Sequence, residues 1–250
     1  MFMQYRNGLF VLFTCICVFG ASYAVNRLSQ IGNVYLTARK NYELIQDQKR
    51  LFEYDTDEKK ENAFSEAMKE INPDYIAWMT IKGTVIDYPV VQANHNYLNR
   101  DFWGEKSIYG CLFVSSAQVP FRDQNTVIFG HNMKDGSMFS VLKNYLEKEW
   151  FKQHDIIQIR YQGQTSFYKI FSVRILNEGD DSAYTYQFCK EDYKNFLSKS
   201  MEESRIQAEQ IVDEEKNIIT LSTCYGSDRR VIIQAQSYME YEEGAIWNLD

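Results

Sequence analysis

The sequence predicts a mainly β domain, a sandwich or closed barrel, entered through a helical N-terminal stretch. Three observations carry this. From Tyr75 onward, eight short runs rich in β-branched and aromatic residues are separated by turns. Before Tyr75 the apolar residues recur at helical spacing instead. Only two helical stretches interrupt the β pattern, and both lie between strands. The 250 residues leave room for one sizeable domain and an appendage. A net charge of -7 argues against a nucleic-acid surface, which would need a basic stripe.

At the N-terminus, the twenty residues from Asn7 to Asn26 carry no charge. That length can cross a bilayer as a helix. It predicts a cytoplasmic tail over 1–7, a transmembrane anchor over 8–25 and a single N-terminal pass, with the rest of the chain outside the cell. Ser22-Tyr23-Ala24 also fits a signal-peptide cleavage site. Both readings export the bulk of the chain. Residues 26–72 form a helical lead-in. Ile31, Val34, Ala38, Tyr42, Ile45 and Phe52 make one apolar face, with Arg39, Lys40, Lys49 and Arg50 among its solvated residues. Asp55 and Glu58 read as a capping box opening a second helix, whose buried face is Ala63, Phe64, Ala67, Met68 and Ile71. Asn72-Pro73-Asp74 ends it, because proline biases the residue before it away from helix.

Residues 73–250 hold the strands: YIAWMTI, VIDYPVV, YGCLFVS, NTVIFGH, DIIQIRY, SFYKIFSVRIL, NIITLSTC and RVIIQAQ. SMFSVLKNYL puts Met138, Leu142 and Tyr145 on one helical face. EDYKNFLSKSMEES does the same for Tyr193, Phe196, Leu197 and Met201.

The chain has five cysteines, of which Cys15 and Cys17 lie in the apolar segment. Cys111, Cys189 and Cys224 remain, an odd set that leaves a free thiol unless another chain pairs with it. Cys111 reads as core, and Cys189, ahead of a helix, as inert. Cys224 closes the run NIITLSTC. Strand parity turns Ile219, Leu221 and Thr223 to the core, and Thr220, Ser222 and Cys224 to the opposite, more polar face. Arg229 and Arg230 follow the turn YGSD, and nearby guanidinium charge favours thiolate over thiol. In the last strand Val231, Ile233 and Ala235 face the core, so Arg230, Ile232, Gln234 and Gln236 share the face of Cys224. Arg229 has the other parity and stays solvated. Asp228 reads as a turn former. A nucleophile needing imidazole must use His95, His131 or His154. Of these, only His131 ends a core strand. No metal-ligand cluster or cofactor motif stands out.

TLSTC at 220–224, FGHNM at 129–133 and RVIIQA at 230–235 together resemble the sortase family of cysteine transpeptidases. The helical lead-in and the helix near 190–206 resemble class B. The resemblance covers about residues 72–240 and implies an eight-stranded closed β-barrel with N-terminal helices and a helix inserted between late strands. It implies Cys224 as nucleophile, His131 as acid/base, and Arg230 with the backbone N–H of Tyr225 as oxyanion donors. Ser222, Asn94 and Leu98 become substrate-binding residues. The implied partners are surface proteins with a C-terminal sorting motif of the N-P-x-T type, cut after threonine, and an amine acceptor of peptidoglycan or a lipid-linked precursor. Two rivals remain: a pilin-polymerising sortase using a lysine acceptor, and a non-catalytic exported β-barrel binding protein.

Overall fold

The computed structural model describes residues 2–50, 58–93, 97–208, 210 and 212–240, with side chains from 13 in the first segment, from 62 in the second and up to 238 in the last. The chain divides into two units, Met1–Leu44 and Ile45–Asp250. The described residues of the first, 2–44, lie within helix α1 (Phe2–Arg50). Residues 8–25 are helical as expected, but the membrane pass is not supported. Among the described residues no helix is long and apolar enough to cross a membrane. The apolar face expected further along begins later than the spacing indicates. Ala38, Tyr42 and Ile45 are buried, whereas Ile31 and Val34 are exposed. Phe52 and the expected cap at Asp55 lie outside the described residues.

The second unit holds α2 (Glu58–Ile71) and all eight strands. Phe64 and Met68 carry the buried face of α2, while Ala63 is exposed. The strands are β1 (Tyr75–Thr80), β2 (Asp87–Ala93), β3 (Leu112–Ser115), β4 (Asn125–Phe129), β5 (Ile156–Tyr161), β6 (Gln164–Asn177), β7 (Ile218–Tyr225) and β8 (Arg229–Glu240). They close into a barrel in the order β1-β2-β3-β4-β7-β8-β6-β5. β2/β3 and β4/β7 are parallel pairs, and the other neighbours run antiparallel. Inward residues such as Met79, Val90, Leu112, Ile128, Leu221 and Ile233 are fully buried in the interior. Closure leaves no open sheet edge.

The stretch SMFSVLKNYL is a 3-10 helix, Phe139–Leu146, rather than an α-helix, and α3 (Lys148–Gln153) follows it. Met138 stays outside the turn with positive φ, although it is buried with Leu142 and Tyr145. Helix α4 (Lys190–Glu202) buries Tyr193 and Leu197 as expected, but leaves Met201 exposed.

Helix α4 and the segments flanking it cover the outside of β6, β8 and β7. Tyr193 and Leu197 pack with Phe171 and Ile218, and Ala183 packs with Leu176 and Ile232. The hydroxyl of Ser172 donates to the carbonyl of Ser200 at 2.6 Å. The outer sets of β7 and β8 are therefore buried: Thr220, Ser222, Ile232, Gln234 and Gln236 all lack solvent contact or nearly so. Strand parity was right, but the polar face is the floor of a second layer rather than open surface.

Lys49 departs further from expectation. Instead of being solvated it is 5% exposed, with its ammonium 2.6 Å from Asp87 and 5.5 Å from the centre of the Trp78 ring. The same carboxylate oxygen accepts from the indole N–H of Trp78 at 2.7 Å and the hydroxyl of Thr80 at 2.9 Å. Charge periodicity cannot foresee this, because the partner lies 38 residues away. Removing one member of a buried ion pair strands the other charge. Asp87→Ala is therefore expected to lower unfolding free energy by about 3 kcal/mol, and Lys49→Met by less, since the Asp87 carboxylate it leaves is partly exposed and keeps the Trp78 and Thr80 donors. Urea denaturation of both variants checks the order; equal or reversed losses would show that the pair is not what secures this corner.

Candidate active site

Three strand ends meet at one rim of the barrel. In the parallel β4/β7 ladder Phe129 lies opposite Ser222, and Gly130 continues it by donating its N–H to the Ser222 carbonyl at 3.2 Å. Two residues beyond the Phe129/Ser222 pair stand His131 and Cys224. Across the antiparallel β7/β8 ladder, Cys224 is the direct partner of Arg230. Imidazole, thiol and guanidinium thus come from neighbouring strands at the same level. Cys224 is exposed, while Ser222 and Thr223 before it are buried.

The backbone before His131 approaches its neighbours too closely for any side chain. A Cβ on Gly130 would lie 2.5 Å from a Leu112 methyl and 2.7 Å from the Phe139 ring. The hydroxyl of Thr223 donates to the Gly130 carbonyl at 2.7 Å, which ties the residue before the cysteine to the residue before the histidine.

The His131 ring is held through Nε2, 2.7 Å from the carbonyl of Leu98. A carbonyl can only accept, so Nε2 carries the hydrogen and Nδ1 is left to exchange a proton. After the histidine the chain folds straight back. Phe139 donates its N–H to the His131 carbonyl at 2.9 Å, and Asn132 bridges to Met138. At the tip, Asp135 accepts from the Ser137 hydroxyl at 2.6 Å and N–H at 3.1 Å, and from the hydroxyl of Tyr109. Burial acts to raise the Asp135 carboxyl, but the bonds from Ser137 and Tyr109 outweigh it and hold it below its usual range. Tyr109 is pushed up to about 12, first by burial and then by the bond to Asp135.

Two further residues complete the rim, and strand patterns do not point to either. The Asn132 side-chain amide donates to the Cys224 carbonyl at 2.8 Å. Tyr184 packs against Phe129, with its hydroxyl 2.9 Å from that of Ser222. Burial raises the Tyr184 phenol, opposed by the Ser222 bond and the charge of Arg230. Asn132 could have been noticed as a polar amide next to the histidine. Tyr184 lies in a stretch with no period, where the sequence carries no signal.

The structure thus assembles His131, Cys224, Arg230 and Leu98, with Tyr225 next in the chain. Ser222 is beneath Tyr184 instead of lining open surface. Asn94 and His95 lie outside the described residues. His154 is elsewhere, stacked on Trp150 with Nδ1 2.9 Å from its carbonyl. Arg229 is exposed and lies over the Tyr225 ring at 5.2 Å, and Asp228 is in the solvated turn. Cys111 is core, and Cys189 caps α4. Among the described residues no His, Cys, Asp or Glu group could hold a metal. A depression of about 850 Å³, lined by Asp74, Gln92, Arg100 and Tyr161 among others, lies at the opposite rim, where β2 and β3 end.

The sortase domain family matches residues 79–238, well over half the chain. The chain belongs to the sortase family. Its relatives place it with class B: sortase B of Staphylococcus aureus is 30% identical over 205 residues, 79% of this chain and 84% of that protein. The solved S. aureus sortase B–substrate complex superposes with a TM-score of 0.74 at 28% identity, covering 81% of this chain and 96% of that one. Clostridium perfringens sortase B superposes with a TM-score of 0.67 at 34% identity, covering 70% and 99%. Sortases are cysteine transpeptidases, so the exposed thiol at the end of β7 sits in a fold whose chemistry requires one.

In this sortase Asp135 secures the loop that follows His131. Because its carboxyl is depressed in the folded state, its contribution is present above the unfolded value, near 3.9, and is lost as pH falls through the lower folded value. Asp135→Asn is expected to destabilise the protein at neutral pH, with the difference from wild type shrinking below about pH 4. Urea midpoints measured from pH 7 to pH 3 check this; a gap that widens on acidification would reverse the assignment.

Proposed function

We propose that this sortase cleaves a C-terminal sorting signal of exported surface proteins after threonine and passes the acyl group to a cell-wall amine. The observation that carries the reading is the level placement of His131, Cys224 and Arg230 on three adjacent strand ends. Transfer of the Cys224 thiol proton to Nδ1 of His131 leaves a thiolate that attacks the threonine carbonyl carbon, and the carbonyl electrons move onto oxygen. Arg230 and the N–H of Tyr225 receive that oxyanion; losing one such donor typically costs about a hundredfold or more. As the C–N bond breaks, His131 gives its proton to the departing amine. The thioester then meets the acceptor amine, an amine of peptidoglycan or a lipid-linked precursor. His131 takes the proton from that nucleophile and the thiolate leaves. The chemistry belongs at the cell surface, where these acceptors are found.

Substrate recognition follows from the same rim. Leu98 is 39% exposed while its carbonyl holds His131, so it offers an apolar contact beside the acid/base. Ser222 acts on the peptide through Tyr184, which occupies its hydroxyl. Asn94 is the remaining contact, and an N-P-x-T signal is the expected motif.

Cleavage of a fluorogenic pentapeptide library should select an N-P-x-T type sequence and be abolished by Cys224→Ala, a change that removes little volume. Turnover surviving that variant would end the reading. Arg230→Ala is expected to lower kcat/KM by about a hundredfold, and Arg229→Ala by less than about tenfold, because its guanidinium lies over Tyr225 on the solvent side. A larger loss at 229 would put the oxyanion partner on the other residue.

A further inference from the structure

A depression of about 530 Å³ lies beside Tyr184, lined by Asp181, Tyr184, Thr185, Tyr186 and Gln187. All five come from one stretch of chain, and residues 184–188 belong to no helix or strand. Such a stretch must find other partners for its backbone groups. Three consecutive residues where β4 begins supply them. Asp123 accepts from the Gln187 side-chain amide at 3.0 Å, and Gln124 Oε1 accepts from the Phe188 N–H at 2.7 Å. Asn125 contributes most. Its N–H donates to the Tyr186 carbonyl at 3.3 Å, and its Nδ2 donates to the carbonyls of Ala183 at 3.1 Å and Thr185 at 2.8 Å. The two acceptors of that amide flank Tyr184.

The amide has one orientation. Only its Nδ2 end can donate to two carbonyls, and its Oδ1 accepts from the Thr220 hydroxyl at 2.7 Å. Asn125 and Thr220 are both completely buried, so a lost partner leaves a polar group unmet. At its far end the Tyr184 side chain is held again. Its hydroxyl is 2.9 Å from that of Ser222, and its ring centre is 5.4 Å from that of Phe129. Both anchors stand on the same two strands: Asn125 and Phe129 on β4, Thr220 and Ser222 on β7. We propose that Asn125 is a positioning residue for peptide binding, which holds residues 183–186, and Tyr184 above all, in register with the strands that lead to His131 and Cys224. This rests on the function proposed above and adds to it the residue that fixes the groove wall beside the nucleophile.

A groove wall touches the peptide before and during reaction alike, so loosening it raises KM and spares kcat. Asn125→Ala is expected to raise KM for the cleaved pentapeptide by about tenfold. Its kcat, counted per thiol titrated with iodoacetamide, should stay within about threefold of wild type. If Asn125 acts through Tyr184, the two changes are not independent. In a Tyr184→Ala background, Asn125→Ala should therefore add less than about threefold to KM. Thr220→Val has nearly the same volume, removes the hydroxyl that orients the amide, and serves where Asn125→Ala does not fold. It should raise KM by about threefold, again only while Tyr184 is present. An undiminished effect in the Tyr184→Ala background would overturn the assignment, as would unchanged KM in either folded variant. A loss confined to kcat would mean a merely structural role. Cys224→Ala measured alongside keeps the two claims apart: if it still cleaves, the proposed function fails, whereas if it is dead and Asn125→Ala keeps the wild-type KM, only the role of Asn125 fails.

Discussion

The chemistry of this barrel depends on the register of β7 between its two neighbours. A parallel pair brings two C-terminal strand ends to the same rim, which is how His131 and Cys224 become neighbours across 93 residues of chain. An antiparallel hairpin then returns the chain at once, so that Arg230 pairs with Cys224 after a three-residue turn. A slip of one residue in either ladder would send one of these side chains to the opposite face. Buried polar bonds guard against such a slip. The hydroxyl of Thr220 donates to Asn125 at 2.7 Å, and Asn125 in turn donates to the carbonyls of Ala183 and Thr185. Each would be left unpaired by a shift, at about 1–3 kcal/mol per group.

The second layer narrows the site to one point. Helix α4 and the segment before it bury the outer face of β7 while the barrel interior buries the other up to Thr223, and the strand emerges only at Cys224. A thiol placed anywhere earlier on that face would be enclosed, as Thr220 and Ser222 are. The exposed cysteine is therefore a product of where the cover stops. Tyr184 marks that edge, bonded to Ser222 below and within the field of Arg230.

Much of the barrel was legible because each strand carries β-branched and aromatic residues between turns, and these local signals agree with the final register. Parity sorted Val231, Ile233 and Ala235 from Arg230 correctly, and it set Cys224 beside Arg230 before any contact was known. What parity could not reveal was cover, since a buried outer face and a solvated one read alike when the covering helix comes from elsewhere in the chain. The same blindness to long-range partners hid Lys49, whose carboxylate partner is on β2, and Asn132, whose acceptor is a backbone carbonyl 92 residues on.

The segment before β3 shows how a loop can be made as definite as a strand. Tyr109 and Gly110 are adjacent, and each constrains His131 by a different route. Tyr109 donates its hydroxyl to Asp135, in the loop that leaves the histidine. Gly110, at φ +61°, lets the chain lie so close to residues 97 and 98 that a Cβ would come within 2.5 Å of the Tyr97 carbonyl and 2.8 Å of that of Leu98. The Leu98 carbonyl is the group that holds the ring. One dipeptide therefore restrains both the backbone after His131 and the acceptor of its Nε2 hydrogen. With Asn132 bound to Cys224 on the other side, the imidazole has its ring and its following loop each tied to a separate part of the barrel. Under the proposed mechanism, such redundancy suits a residue that must give a proton to a leaving amine and take one from an incoming amine at a single position.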